Sequence, residues 1–266
     1  MKPSLLAAAL GIACLLPATQ APAASDAASR QTDVFRQGLA VFRQQQALAP
    51  QAALRYRALP AEGLAAAGLP ELLLSGGKLP LAADASFDPA GIAAGQTLRA
   101  VSRHGRRFAW RPDIRSPGVP AGARRLGDLR LECLVDAQSG LNPGAGNCVP
   151  AGRKADCQDE PVSCLREASL MLLGQLRQTA QLDVPASPYQ RKTHYLFIAE
   201  RPLFGITLSD GARQLALPTV WLYGSALDAG PFVSWPYPRQ YLYSLPLESA
   251  DWPDDTLVVF QAMEPA

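Results

Sequence analysis

From residue 54 onward, apolar and polar side chains alternate one by one, in runs too short for long helices. In ALRYRAL, Leu54, Tyr56 and Ala58 fall on one side and Arg55 and Arg57 on the other. Successive side chains of a strand point to opposite faces, so such a run builds a sheet with one face covered. Short apolar runs recur in LPELLL, KLPLAAD, ASFDP, THYLFIAER and TVWLYG, broken by Gly76-Gly77 and Pro80. Two hairpins are predicted, one turning at His104-Gly105 with Phe108 and Trp110 sharing a face, the other at Asp210-Gly211. DLRLECLV predicts a further strand, with Leu129, Leu131, Cys133 and Val135 buried opposite Asp128, Arg130 and Glu132. In TLVVFQAM both faces are apolar, which predicts a central or doubly covered strand.

Helical spacing occurs twice. Phe35, Leu39 and Phe42 fall at i, i+4 and i+7, with Asp33 at the start and Pro50 beyond the end. Cys164, Ala168, Met171, Leu172 and Leu176 repeat the pattern within SCLREASLMLLGQLRQTAQ. The expected architecture is mainly β, an antiparallel β-sandwich-like protein with an N-terminal helix and one inserted helix. The short strands and the AASFDP turn of the first half resemble secreted immunoglobulin-like or transthyretin-like modules. Five segments follow: 1–23 a signal peptide, 24–50 helical, 51–135 β-rich, 136–192 a disulfide-stapled loop and helix, and 193–266 β-rich, the two β-rich halves forming one domain or two.

The leader is read from Lys2, the apolar run from Leu5 to Leu16 and the Ala21-Pro22-Ala23 cleavage site. That run is shorter than the roughly 20 residues a spanning helix needs, so no transmembrane segment is expected after its removal. Bacterial export to the periplasm or beyond is the expected address. Gly11-Ile12-Ala13-Cys14 is a poor lipobox, which sets the lipoprotein alternative lower. The mature chain retains Cys133, Cys148, Cys157 and Cys164. Four cysteines in an oxidising compartment predict two disulfides, with three connectivities open. No C-x-x-C pair or neighbouring histidine supports zinc, and neither a metal nor a cofactor is expected.

A formal net charge of +2 gives no reason to expect nucleic acid as a partner. His104 and His194 are the chain's two histidines; His104 sits in a predicted turn with no nucleophile or carboxylate beside it, and His194 begins a predicted strand beside Tyr195, so both read as structural. A triad, if one existed, would draw on Ser225, His194 and Asp210 or Asp228, yet YGSAL lacks the closing glycine of a nucleophile elbow. Asp251, Asp254 and Asp255 read as a turn. The arginine group Arg103, Arg106, Arg107, Arg111, Arg115, Arg124 and Arg125 is the strongest charge feature, and Arg103, Arg106 and Arg107 are carried as candidate binding residues. Trp235 and Tyr237, set among Pro231, Pro236 and Pro238, are candidates for a rigid aromatic platform. The sequence thus favours a non-enzymatic envelope module that binds a protein or glycan. An envelope hydrolase and a purely structural component are the alternatives.

Overall fold

The computed structural model describes residues 29–60, 68–101, 108–141, 148–150, 195–223 and 238–263. The described chain is mainly β, with four antiparallel sheets and two α-helices. Strands β1 (Ser29–Gln31), β3 (Glu71–Leu74), β4 (Gly77–Leu79) and β6 (Thr97–Val101) form one sheet in the order β1-β6-β3-β4. A second sheet runs β5-β2-β7, from β2 (Ala53–Pro60), β5 (Ser86–Phe87) and β7 (Phe108–Arg115). A third, β11-β10-β13-β8, joins β8 (Ala123–Arg125) to β10 (Leu203–Ser209), β11 (Gln214–Ala216) and β13 (Leu257–Ala262). The fourth pairs β9 (Phe197–Ile198) with β12 (Leu242–Tyr243).

Helix α1 (Asp33–Gln44) forms as its spacing predicts, burying Phe35 and Phe42 with Leu39 half-buried beside them. Phe35 is the hub of the first core, meeting Tyr56, Phe87 and Trp110 edge to face at 4.9, 5.5 and 5.7 Å. Leu72, Leu98 and Ala100 from the first sheet and Tyr56, Ala58, Trp110 and Ile114 from the second enter the same core. The alternation in ALRYRAL is kept, since Leu54, Tyr56 and Ala58 all face it. Pro112 sits within β7 because β7 is a sheet edge, where a missing N–H costs no ladder bond.

Three sequence expectations are corrected. Residues 126–138 are not a strand but helix α2 (Leu126–Gln138). Their alternation arises because α2 is buried on nearly every side, so apolar and charged residues are both enclosed. Leu131 and Val135 enter the first core, while Leu126, Leu129 and Cys133 enter a second with Ile206, Leu208, Tyr243 and Val258. The predicted hairpin over 97–111 is also replaced. β6 pairs with β1 and β3, whereas β7 pairs with β2 over its whole length, so the two segments reach one core from different sheets. In TVWLYG, Thr219–Trp221 make a 3-10 turn, with Trp221 N closing onto Pro218 O at 3.0 Å, and of the expected strand Leu222 keeps an isolated antiparallel bridge to Tyr243. The second hairpin forms as read. Asp210 Oδ1 accepts from Ala212 N and Arg213 N, and Gly211 takes the positive φ of 88° that the turn requires. β13 lies inside its sheet, between β10 and β8.

Cys133 and Cys148 lie at disulfide geometry, their Cα atoms 5.5 Å apart, fastening α2 to the segment beyond it. Their separation of 15 residues corresponds to roughly 3 kcal/mol of loop-closure entropy. Cys157, Cys164 and the expected inserted helix lie outside the described residues, as does the leader. Among the described residues no helix is long and apolar enough to cross a membrane.

The entry to α2 is fixed by backbone contact. Leu126 N donates to Thr256 O and Gly127 N to Asp254 O, satisfying N–H groups that a helix start leaves open. A Cβ at Gly127 would fall 2.2 Å from Leu48 O and 2.8 Å from Asp254 Cβ. Gly127→Ala is therefore expected to lower unfolding free energy by about 1–3 kcal/mol, measured by urea denaturation. An unchanged midpoint would mean that the helix does not dock there.

Candidate functional site

The acids of α2 define the site. Asp128, Glu132 and Asp136 fall at i, i+4 and i+8, a single stripe on a helix, and all three are buried. Each meets a partner from the chain between 111 and 124. Asp128 accepts from Ser116 N and Ser116 Oγ at 2.8 and 2.7 Å. Glu132 accepts from Arg124 Nη2 at 2.6 Å and from Ile114 N at 3.3 Å. Asp136 accepts from Arg111 Nη1 at 2.5 Å and from the Tyr195 hydroxyl at 2.7 Å.

The polar face of β2 and β7 extends this network. Arg57 lies opposite Arg111 in the ladder, and both are buried. Two guanidinium groups side by side survive there because each is matched by carboxylates. Arg57 donates through Nε to Asp113 at 2.9 Å, through Nη1 to Glu200 at 2.7 Å and through Nη2 to Asp84 at 3.0 Å. Arg115 donates to the same two acids, to Asp113 at 2.9 Å and Glu200 at 2.5 Å. Arg124 Nη1 stands 3.8 Å from Asp113. Asp113 is thus shared by three arginines.

Of these groups Arg57, Arg111, Asp113, Arg115, Arg124, Glu132 and Glu200 line a cavity of about 500 Å³. Its other walls are Leu59, Phe197, Ile198, Leu203, Tyr241, Tyr243 and Phe260. Tyr195, Phe197, Tyr243 and Phe260 form a continuous row of rings, with successive centroids 4.5, 5.0 and 5.1 Å apart. The Arg111 guanidinium lies over the Tyr195 ring at 5.5 Å, joining the charged wall to this row.

Burial alone would raise the Asp113 carboxyl, but Arg124, Arg57 and Arg115 outweigh it and hold it below the usual carboxylate range. For Glu200, burial is likewise outweighed by Arg115 and Arg57. Glu132 goes the other way. Burial pushes its carboxyl up, Arg124 offsets only part, and the Asp113 charge adds to the rise. Burial and then Asp136 push the Tyr195 hydroxyl well above its ordinary range, so it remains a donor.

Of the residues singled out from sequence, Arg111, Arg115 and Arg124 come together at the cavity. Arg103, Arg106, Arg107, Trp235, Tyr237, His104, His194, Ser225 and Asp228 lie outside the described residues. Asp210 belongs to its hairpin, bonded to Arg213. Asp251, Asp254 and Asp255 lie at turn positions, as read, and Asp254 accepts from Arg130 at 2.5 Å. The proline-rich aromatic stretch contributes its described end, Pro238, Tyr241 and Tyr243, to the cavity. Sequence reasoning missed Arg57, Asp113, Glu132, Asp136, Tyr195 and Glu200. The i, i+4, i+8 spacing of acids over 128–136 was the available signal, obscured by the stronger period of two.

Compared with known proteins, the chain matches no family model, and no curated protein and no solved structure matches it significantly.

Removing the shared acid leaves Arg57 and Arg124 buried with too few partners. Asp113→Asn is expected to cost about 3–5 kcal/mol of unfolding free energy. Asp84, Asp113 and Glu200 all have lowered folded-state values. The stability they contribute is present above their ordinary values near pH 4 and is lost as pH falls through the folded values. Urea titrations between about pH 5 and pH 2.5 should therefore show a steep loss in the parent chain and a shallower one in Asp113→Asn. Parallel slopes would deny Asp113 this part in acid sensitivity.

Proposed function

We propose that this chain is an exported, non-enzymatic binding protein of the bacterial envelope, periplasmic or secreted, and that its ligand is a small molecule held in the cavity. The carrying observation is the cavity itself, about 500 Å³ with ionic groups on one side and aromatic and aliphatic groups on the other. That volume is within the common range of ligand pockets, as is the mixture of apolar walls with a few fixed polar groups. The ionic wall is preorganised, since its arginines and acids already hold one another by hydrogen bonds and need little ordering when a ligand arrives. A β-sandwich-like arrangement is the fold we favour, supported by the two sheets that share the first core. An envelope protein or glycan that contacts Trp235 and Tyr237 is a further partner under the same proposal.

The rival is an envelope hydrolase. One observation favours it: Glu132 is pushed up while neighbouring Asp113 is held down, the divergence that an acid and base pair requires. Binding is preferred because Asp113 and Glu200 are each bonded by two arginines, which makes them poor proton acceptors.

Ala199 lines the cavity and is half-buried at the edge of the second core, so Ala199→Trp should fill the space, and its melting curve checks that the core is kept. A thermal-shift screen of soluble metabolites should find compounds that stabilise the mature chain, by about 2.7 kcal/mol at one hundred times Kd. The same compounds should leave Ala199→Trp unshifted. Hits that stabilise both proteins equally would overturn the cavity as the binding site.

A further inference from the structure

Glu200 differs from the other acids at the cavity. It lies on the coil between β9 and β10, and its side chain is 54% exposed, against 7% for Asp113. One oxygen, Oε1, receives both the Arg57 Nη1 bond and the Arg115 Nη2 bond. Among the described residues its other oxygen receives no hydrogen bond. A carboxylate held on a coil at the edge of a cavity, bridging two guanidinium groups through one atom, is the least anchored member of the network. Asp113 is fixed by its strand and by burial; Glu200 has neither constraint.

The wall behind it is rich in donors. A guanidinium carries five N–H groups. Arg115 uses Nε and Nη2, and among the described residues its Nη1 makes no hydrogen bond. Arg124 Nε is buried with no partner among the described residues. Asp84 and Asp136 bond Arg57 and Arg111 from outside the lining, so the donors left for an acceptor-rich group are those of Arg115 Nη1 and Arg124 Nε. The same cavity is lined by Leu59, Ile198, Leu203, Tyr241 and Phe260, whose apolar surface suits a hydrocarbon body and not an anion.

Resting on the cavity as the binding site, we propose that the ligand is a small amphipathic monocarboxylate. Its carboxylate takes the position of the Glu200 carboxylate on Arg57 and Arg115, and its apolar body lies against Ile198, Leu203, Tyr241 and Phe260. Glu200 is an internal stand-in, which swings to solvent when the ligand enters and returns when it leaves. It keeps the arginine pair satisfied in the empty protein, and it sets the affinity by competing for the same donors. Planar guanidinium groups suit a carboxylate because they bond it through paired N–H groups.

The test is calorimetric titration of the mature chain with octanoate, octanamide and acetate. Octanoate should bind, octanamide at least about tenfold more weakly because it has no charge for the two guanidinium groups, and acetate at least about tenfold more weakly because it has no apolar body to bury. Glu200→Gln and Glu200→Ala remove the competitor and should each tighten octanoate by about tenfold. Arg115→Gln should weaken octanoate by about tenfold or more. Arg115 and Glu200 are both about half exposed, so these variants are expected to fold, and their melting curves check it. Octanamide binding as tightly as octanoate, or octanoate affinity unchanged in both Glu200 variants, would overturn the proposal. If none of the three probes binds, while screened compounds still lose binding in Ala199→Trp, the carboxylate assignment falls and the cavity remains the site.

Discussion

A helix that carries acids and is buried on nearly all sides is stable only where each charge meets a fixed partner, and α2 sets that condition for the rest of the molecule. Burying an unpaired carboxylate costs several kcal/mol, far more than any apolar contact nearby returns. Asp128, Glu132 and Asp136 therefore dictate what must lie opposite them: a serine, a strand N–H, two arginines and a tyrosine hydroxyl. Those partners belong to β7 and the residue just after it, to β8 and to the segment entering β9, so pairing the acids also fixes how three strands approach the helix. On its far side Arg130, wholly enclosed, donates to Leu247 O and Ser249 O as well as to Asp254. One helix thereby holds the first core with Leu131 and Val135 and the second with Leu129 and Cys133.

The cavity follows from the same condition. Arg111 of β7 and Arg124 of β8 meet acids of α2, Arg57 of β2 stands opposite Arg111, and the cavity remains where these three and the rings of Phe197, Tyr243 and Phe260 do not pack closely. Ionic groups that are mutually bonded resist collapse, because filling the space would bury them further without new partners. The pocket is thus a by-product of charge pairing with a chemistry of its own. Its most exposed acid is Glu200.

Much of the architecture was readable from residue order. The α1 spacing, the faces of β2, the Asp210-Gly211 turn and the interior position of β13 all follow from periodicity and turn chemistry. Residues 126–138 were not readable that way, for a specific reason. Alternation signals a strand only when one face is wet; a helix enclosed on all sides has no wet face, so its apolar and charged residues can alternate without constraint. The hairpin over 97–111 failed because adjacency in sequence does not decide which sheet a strand joins. At the site, clustered arginines on β7 and β8 were visible, but their acids come from residues 84, 113, 132, 136 and 200 and converge only through folding.

If α2 is the shared support of both cores, native-state hydrogen exchange should detect it directly. Amides in the middle of α2, in β2 and in β10 and β13 should exchange with one common free energy, equal to that of global unfolding measured by urea. Exchange in β10 and β13 at a distinctly lower free energy, with α2 and β2 still protected, would contradict the account and make the second core an appendage of the first.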